Sequence, residues 1–165
     1  KQRSRMMHPT VQRRIDFAIT DKLQEKIGIP KDFKKYTTNV SGKQDSNRIV
    51  VEVEFCYKHD GYYFENLPPE INNKINDYLD DTLKLSFVLN IPHDYPFNPP
   101  IWMLSNISTS ISNLNLLISY YSSKVVYHNE TLLKNWSPAI LIDKDILLFM
   151  TKILNFDDII NNIYV

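Results

Sequence analysis

The chain has one cysteine, Cys56, in 165 residues. No internal disulfide can form, and a zinc site built on several cysteines is excluded. A lone thiol is the usage of a reducing compartment, so an intracellular setting, cytoplasmic or nuclear, is expected. Net charge is also absent: 19 Lys and Arg balance 19 Asp and Glu. A domain that wraps a polyanion needs a cationic surface, so nucleic-acid binding by the whole domain is disfavoured. Long apolar runs are missing. The longest, Ile146–Met150, is far too short to cross a bilayer, and no membrane partner is expected. The start carries no signal-peptide pattern. Three glycines in the whole chain leave no Gly-rich loop to cradle a phosphate. We expect neither a cofactor nor a metal.

What the chain does have is core-forming material. Hydrophobic residues make up 43% and aromatics 12%, enough to exclude a wholly disordered chain and to fill one domain. Four Asn-x-Ser/Thr sequons, at Asn39, Asn106, Asn129 and Asn135, say little in so Asn-rich a sequence.

Charge is uneven along the chain. Lys1, Arg3, Arg5, Arg13 and Arg14 lie in the first fourteen residues with no acid among them. Residues 1–9 lack periodicity and read as a basic extended arm. Such an arm is either a solvated tail or a contact for an acidic partner; any nucleic-acid contact would belong to it alone. Thr10 reads as an N-cap. Val11, Ile15, Ile19, Leu23 and Ile27 then form one apolar stripe, so a single helix is expected, closed by Gly28 and Pro30. Phe33–Val40 reads as a strand and Ser41–Asn47 as a polar turn. In Arg48–Lys58 the residues Ile49, Val51, Val53, Phe55 and Tyr57 alternate with Val50, Glu52, Glu54 and Cys56, the pattern of a half-buried strand.

Residues 59–82 suggest a helical insertion, with Ile71, Ile75 and Leu79 four apart. Leu83–Ile91 alternates again, and Ile101–Leu104 is a short fourth strand. Residues 105–127 hold many serines and asparagines without a clear period. They read as a long irregular loop in which Leu117–Tyr121 pairs with Lys124–His128. Asp143 caps a last helix through Ile146, Phe149, Met150, Ile153 and Leu154, and residues 156–165 form a tail. The expected class is α+β: an N-terminal helix, a four-stranded antiparallel meander, a long irregular loop and a C-terminal helix packed on the sheet.

Two segments are more specific. Asp94-Tyr95-Pro96-Phe97-Asn98-Pro99-Pro100 follows an alternating strand. Leu133-Lys134-Asn135-Trp136-Ser137-Pro138-Ala139 runs into the last helix. Together, and in this order, they resemble the core of the ubiquitin-conjugating enzyme family over roughly residues 10–155. Gln12-Arg13-Arg14-Ile15 is similar to that family's basic first helix. The resemblance implies a UBC-like domain in which Tyr95, Pro96, Pro99, Pro100 and Trp136 are scaffold. The prolines fix φ and remove backbone donors, and the two aromatics supply buried area.

The family's chemistry needs a cysteine thiolate ahead of the tryptophan and a His-Pro-Asn segment ahead of the cysteine. The family spacing, counted back from Trp136, lands on His128. No cysteine follows Cys56, and neither His nor Pro occurs between Ile101 and Tyr127. The active-site region has been rebuilt. His128 reads as an exposed loop histidine, a poor carrier for a stored acyl group. Cys56 sits among Glu52 and Glu54, whose charge disfavours a thiolate. The resemblance therefore implies a pseudoenzyme that acts by binding. Its partners would be a ubiquitin ligase, an active conjugating enzyme or ubiquitin, met through Arg13, Arg14, Phe97, Pro138 and Ala139. A weaker second surface is the outward sheet face around Val50, Glu52, Glu54, Lys84, Ser86 and Val88. The alternative is a structural subunit of a larger assembly, and the least favoured reading is an active enzyme of altered chemistry.

Overall fold

The computed structural model describes residues 7–33, 36–57, 82–109 and 114–154. The expected insertion at 59–82, apart from Thr82, and the tail at 156–165 lie outside the described residues, as do residues 1–6 of the arm.

Helix α1 (Pro9–Ala18) starts one residue before the expected cap. His8 is the N-cap, its Nδ1 accepting from the Thr10 amide at 3.2 Å. Pro9 follows in the first turn, where a missing N–H costs nothing. The stripe from Val11 to Ile27 is not one helix. The backbone turns extended at Ile19, and a short helix α2 (Leu23–Lys26) resumes after the break. The four-residue spacing survives because Val11, Ile15, Leu23 and Ile27 all enter the same core.

Strand β1 (Tyr36–Asp45) is longer than expected and absorbs most of the predicted polar turn. Its register explains the polarity. Ser41, Lys43 and Asp45 face outward, while Val40, Gly42 and Gln44 lie opposite Val53, Val51 and Ile49 of β2 (Arg48–Tyr57) on the inner side. Gly42 is required there, since a Cβ would stand 3.0 Å from Leu23 and 3.1 Å from Ile19. The reversal is the two residues Ser46 and Asn47, with Ser46 at φ 58° in the left-handed region.

Strands β3 (Thr82–Asn90) and β4 (Ile101–Ser108) complete a four-stranded antiparallel sheet in the order β1-β2-β3-β4. Ile49, Val51, Val53, Phe55, Leu83, Leu85, Phe87 and Leu89 are buried on one face, as their alternation predicts. A bulge leaves Ser105 unpaired between Leu104, opposite Phe87, and Asn106, opposite Ser86.

Residues 105–127 depart most from expectation. After β4 ends, Leu114–Asn135 forms a 22-residue helix, α3, and the expected loop and hairpin are replaced by it. The helix buries Leu117, Tyr121, Val125, His128 and Leu132, a helical stripe whose serines and asparagines fill other positions. Asn129 ties the helix to the sheet edge. Its side chain accepts from the Trp102 amide and donates to the Trp102 carbonyl, both at 2.9 Å, so an amide side chain stands in for a fifth strand.

Helix α4 (Ile142–Ile153) buries Ile146, Phe149, Met150 and Ile153. Its N-cap is Leu141, and Asp143 lies inside the first turn, where its charge meets the helix dipole instead of capping. Phe149 stands edge-on to Phe87, with ring centroids 4.8 Å apart, and lies 4.3 Å from Trp102. The four helices among the described residues all send side chains into one core with the inner face of the sheet. Among the described residues no helix is long and apolar enough to cross a membrane.

Candidate functional site

The proline-rich segment between β3 and β4 is a chain of tight turns. The Tyr95 amide donates to the Pro92 carbonyl at 3.0 Å, and the Phe97 amide to the Asp94 carbonyl at 2.8 Å. Asn98 donates to the Asp94 carboxylate across the same turn. The Tyr95–Pro96 peptide is cis. Tyr95, Pro99 and Pro100 are buried and Pro96 is half-buried, whereas Phe97 is 77% exposed.

Forty residues later in the chain, Trp136 closes onto this turn. Its indole Nε1 donates to the Pro96 carbonyl at 2.8 Å, and its ring centroid lies 6.0 Å from that of Tyr95. The following residues are shaped by Ser137, whose Oγ accepts from the Ala139 amide at 3.2 Å and whose carbonyl accepts from Ile140 at 2.9 Å. Pro138 and Ala139 are left exposed on that turn.

Helix α1 supplies the third side. The Arg14 guanidinium donates to the Pro138 carbonyl at 2.7 Å and lies 5.8 Å from the centroid of the Tyr95 ring. Such a cation over an aromatic face adds roughly 0.5–1 kcal/mol. Burial pushes the Tyr95 phenol up from its ordinary value, and the adjacent Arg14 offsets part of that rise. Of the five candidate binding residues, Arg14 and Pro138 are thus in direct contact. Phe97 and Ala139 stand on the two turns that Trp136 and Arg14 hold. Arg13 is exposed on α1, its Nε donating to the Pro9 carbonyl of the same helix at 3.3 Å.

His128 is not an exposed loop residue. It lies within α3 at 1% exposure, and its Nε2 is 2.7 Å from Oδ1 of Asp145, itself 1% exposed. Asp145 Oδ2 accepts from Trp102 Nε1 at 3.0 Å. The imidazole Nδ1 is 2.8 Å from the ammonium of Lys152, which is half-buried. Burial lowers Lys152 from its ordinary value, with Lys124 acting the same way and Asp145 opposing. Sequence reasoning missed Asp145 and Lys152 altogether. The available signal is the spacing Tyr121, Val125, His128, Leu132, which puts a histidine in an apolar helical stripe.

Cys56 is half-buried on β2, opposite Thr37 of β1 and Thr82 of β3. The proline-rich segment leaves β3 at the other end, after Asn90, so the length of that strand, roughly 27 Å, separates the two. On the outer sheet face Glu52 sits opposite Ser86, which donates to it at 3.4 Å, and Lys84 reaches the same carboxylate at 3.4 Å. Among the described residues no group of three or more His, Cys, Asp or Glu is placed to hold a metal ion. No family model, no curated protein and no solved structure matches the chain.

Proposed function

We propose that this is a UBC-like protein without conjugating activity that works by binding other proteins of a ubiquitin pathway, as cofactor, adaptor or competitor. One observation supports the reading best. Two motifs distant in sequence meet through the Trp136–Pro96 and Arg14–Pro138 hydrogen bonds, and they carry Phe97, Pro138 and Ala139 outward on rigid turns. An exposed aromatic beside small apolar residues and an arginine has the composition of an interface hot spot. Prolines and turn hydrogen bonds hold it in place before any partner arrives, which lowers the ordering cost of association.

The absence of covalent chemistry in this reading rests on the thiol. The sole cysteine lies at the far end of the sheet from the Trp136 turn, and the position nearest the family's cysteine is filled by a buried histidine. Incubation with ubiquitin, activating enzyme and ATP is therefore expected to yield no thiol-labile adduct. An adduct lost on Cys56→Ala would overturn the proposal. In parallel, titration calorimetry against a panel of ligase RING domains is expected to find a binder whose affinity falls at least tenfold on Phe97→Ala, about 1.4 kcal/mol.

A second reading, a structural subunit of a larger assembly, draws on α3. Val126 and Leu133 lie two turns apart on that helix and are each more than half exposed. Stable co-purification with subunits unrelated to ubiquitin transfer, unaffected by Phe97→Ala and abolished by Val126→Asp with Leu133→Asp, would favour it.

A further inference from the structure

We propose that Lys152, His128 and Asp145 form an activated-amine site, at which the Lys152 ε-amino group accepts an acyl group from a thioester. This does not depend on the binding role described above. The three residues are arranged as nucleophile, base and positioning group, with His128 within hydrogen-bond reach of both others: Nζ to Nδ1 2.8 Å, Nε2 to Oδ1 2.7 Å.

The order of the contacts fixes the protons. Asp145 accepts from Trp102 Nε1 through one oxygen and meets His128 Nε2 with the other, so as a carboxylate it takes a hydrogen bond at each. Nε2 of His128 therefore carries the proton toward Asp145, and Nδ1 presents a lone pair to Lys152. The ring has no freedom to turn away. Trp102 stands edge-on to it at 5.8 Å and Phe149 lies 5.1 Å off. A lysine that serves only as a structural cation is ordinarily paired with a carboxylate. This one faces a nitrogen base.

Its surroundings act in both directions. On α3, Lys124 and burial disfavour the ammonium, while the exposed Tyr127 ring, 5.3 Å from Nζ, favours it. On α4, Asp145 favours it as well, and the net direction is toward the free amine. When the ammonium gives a proton to Nδ1, the resulting imidazolium rests against Asp145, so the nucleophilic form is reached without moving charge out of the cluster.

The donor class follows from what stands beside the amine. Beside Nζ stands the His128 base, whose imidazolium form is a weak acid and suits a leaving group that departs without full protonation. The acyl donor must release its own leaving group, and a thioester expels a thiolate unaided. The step balances: the nitrogen lone pair forms the C–N bond and the C–S bond breaks with its electron pair on sulfur. Of the two protons lost by the ammonium, one is taken up by Nδ1 and handed to the departing sulfur, and the other is lost to solvent from the open side of the half-buried Lys152. The product is an amide on Lys152. Because Lys152 is half-buried at the surface, the donor arrives from solvent.

The test is competitive acetylation of the full chain by acetyl-coenzyme A at neutral pH, followed by peptide mass spectrometry. Lys152 is expected to react roughly a hundredfold faster than the exposed Lys22 and Lys144. His128→Gln is expected to abolish that excess while leaving Lys22 and Lys144 unchanged. If His128→Gln does not fold, the wild type decides alone: Lys152 reacting no faster than the two exposed lysines, both with acetyl-coenzyme A and with the protein thioester below, overturns the proposal. A second arm supplies ubiquitin as a thioester on an active conjugating enzyme. A thiol-resistant adduct at Lys152 in that arm identifies a protein donor. Reaction with acetyl-coenzyme A alone identifies a small one, and reaction with neither rejects the site.

Discussion

Asp145 is the position where a single change should cost most. It is buried and satisfies two buried donors: Trp102 Nε1 at 3.0 Å and His128 Nε2 at 2.7 Å. In Asp145→Ala both donors lose their acceptor. Each orphaned buried donor costs about 1–3 kcal/mol, so with two of them the variant should lose about 2–6 kcal/mol. Asp145→Asn keeps one carbonyl oxygen but turns an amide N–H toward a second donor, and should lose about half as much. Stability is read from urea unfolding followed by circular dichroism, with the midpoint shift compared at constant slope. The pairwise contact is isolated by a cycle with Trp102→Phe. In the Asp145→Ala background the indole donor is already stranded, so removing it should recover about 1–2 kcal/mol relative to additivity. An Asp145→Ala loss under about 1 kcal/mol, or an additive cycle, would refute this account of the core.

Other expectations are narrower. Ser46 holds φ 58° without being glycine, so Ser46→Gly should raise stability by about 0.5–1 kcal/mol, measured by the same unfolding curves. Tyr36 is buried beneath the last described turn, its hydroxyl donating to the Leu154 carbonyl, and burial pushes its pKa to about 12. Its folded value lies above its unfolded value, so stability is unaffected below pH 10 and falls between pH 10 and 12, by on the order of 2 kcal/mol. Tyr36→Phe should remove that component of the alkaline decline. Phe97→Ala should leave stability within about 0.5 kcal/mol of wild type, because the ring is mostly solvated, while weakening partner binding.

How much of this the sequence disclosed depended on whether local pattern and tertiary role agreed. Strands β2 and β3 were legible because Ile49, Val51, Val53 and Phe55 of one, and Leu83, Leu85, Phe87 and Leu89 of the other, are buried at every second position. The turns around Pro96 and Pro138 were legible because proline chemistry is local. Residues 114–135 were not. Leu116, Leu117 and Ile118 in succession, with serines at 119, 122 and 123, blur the period, and the stripe through Tyr121, Val125, His128 and Leu132 includes a histidine. The burial of that histidine is set by Asp145 and Lys152 on another helix, which no local window contains. Ser41–Asp45 misled for the opposite reason. Ser41, Lys43 and Asp45 sit outward on an edge strand, and Gly42 serves close approach of Leu23 and Ile19 instead of a turn. The continuous stripe from Val11 to Ile27 concealed a break, since the chain after Ile19 returns to the same core.

The central claim is that α1, the Tyr95–Pro100 turns and the Trp136–Ala139 turn form one recognition surface. Backbone amide shifts of the isotope-labelled chain, followed during titration with a ligase RING domain that binds it, test this most directly. The account predicts concerted, saturable shifts at Arg14, Phe97 and Ala139, with Glu52, Val88 and Met103 on the outer sheet face unmoved. Shifts confined to the sheet face, or to the exposed side of α3 around Val126 and Leu133, would contradict it.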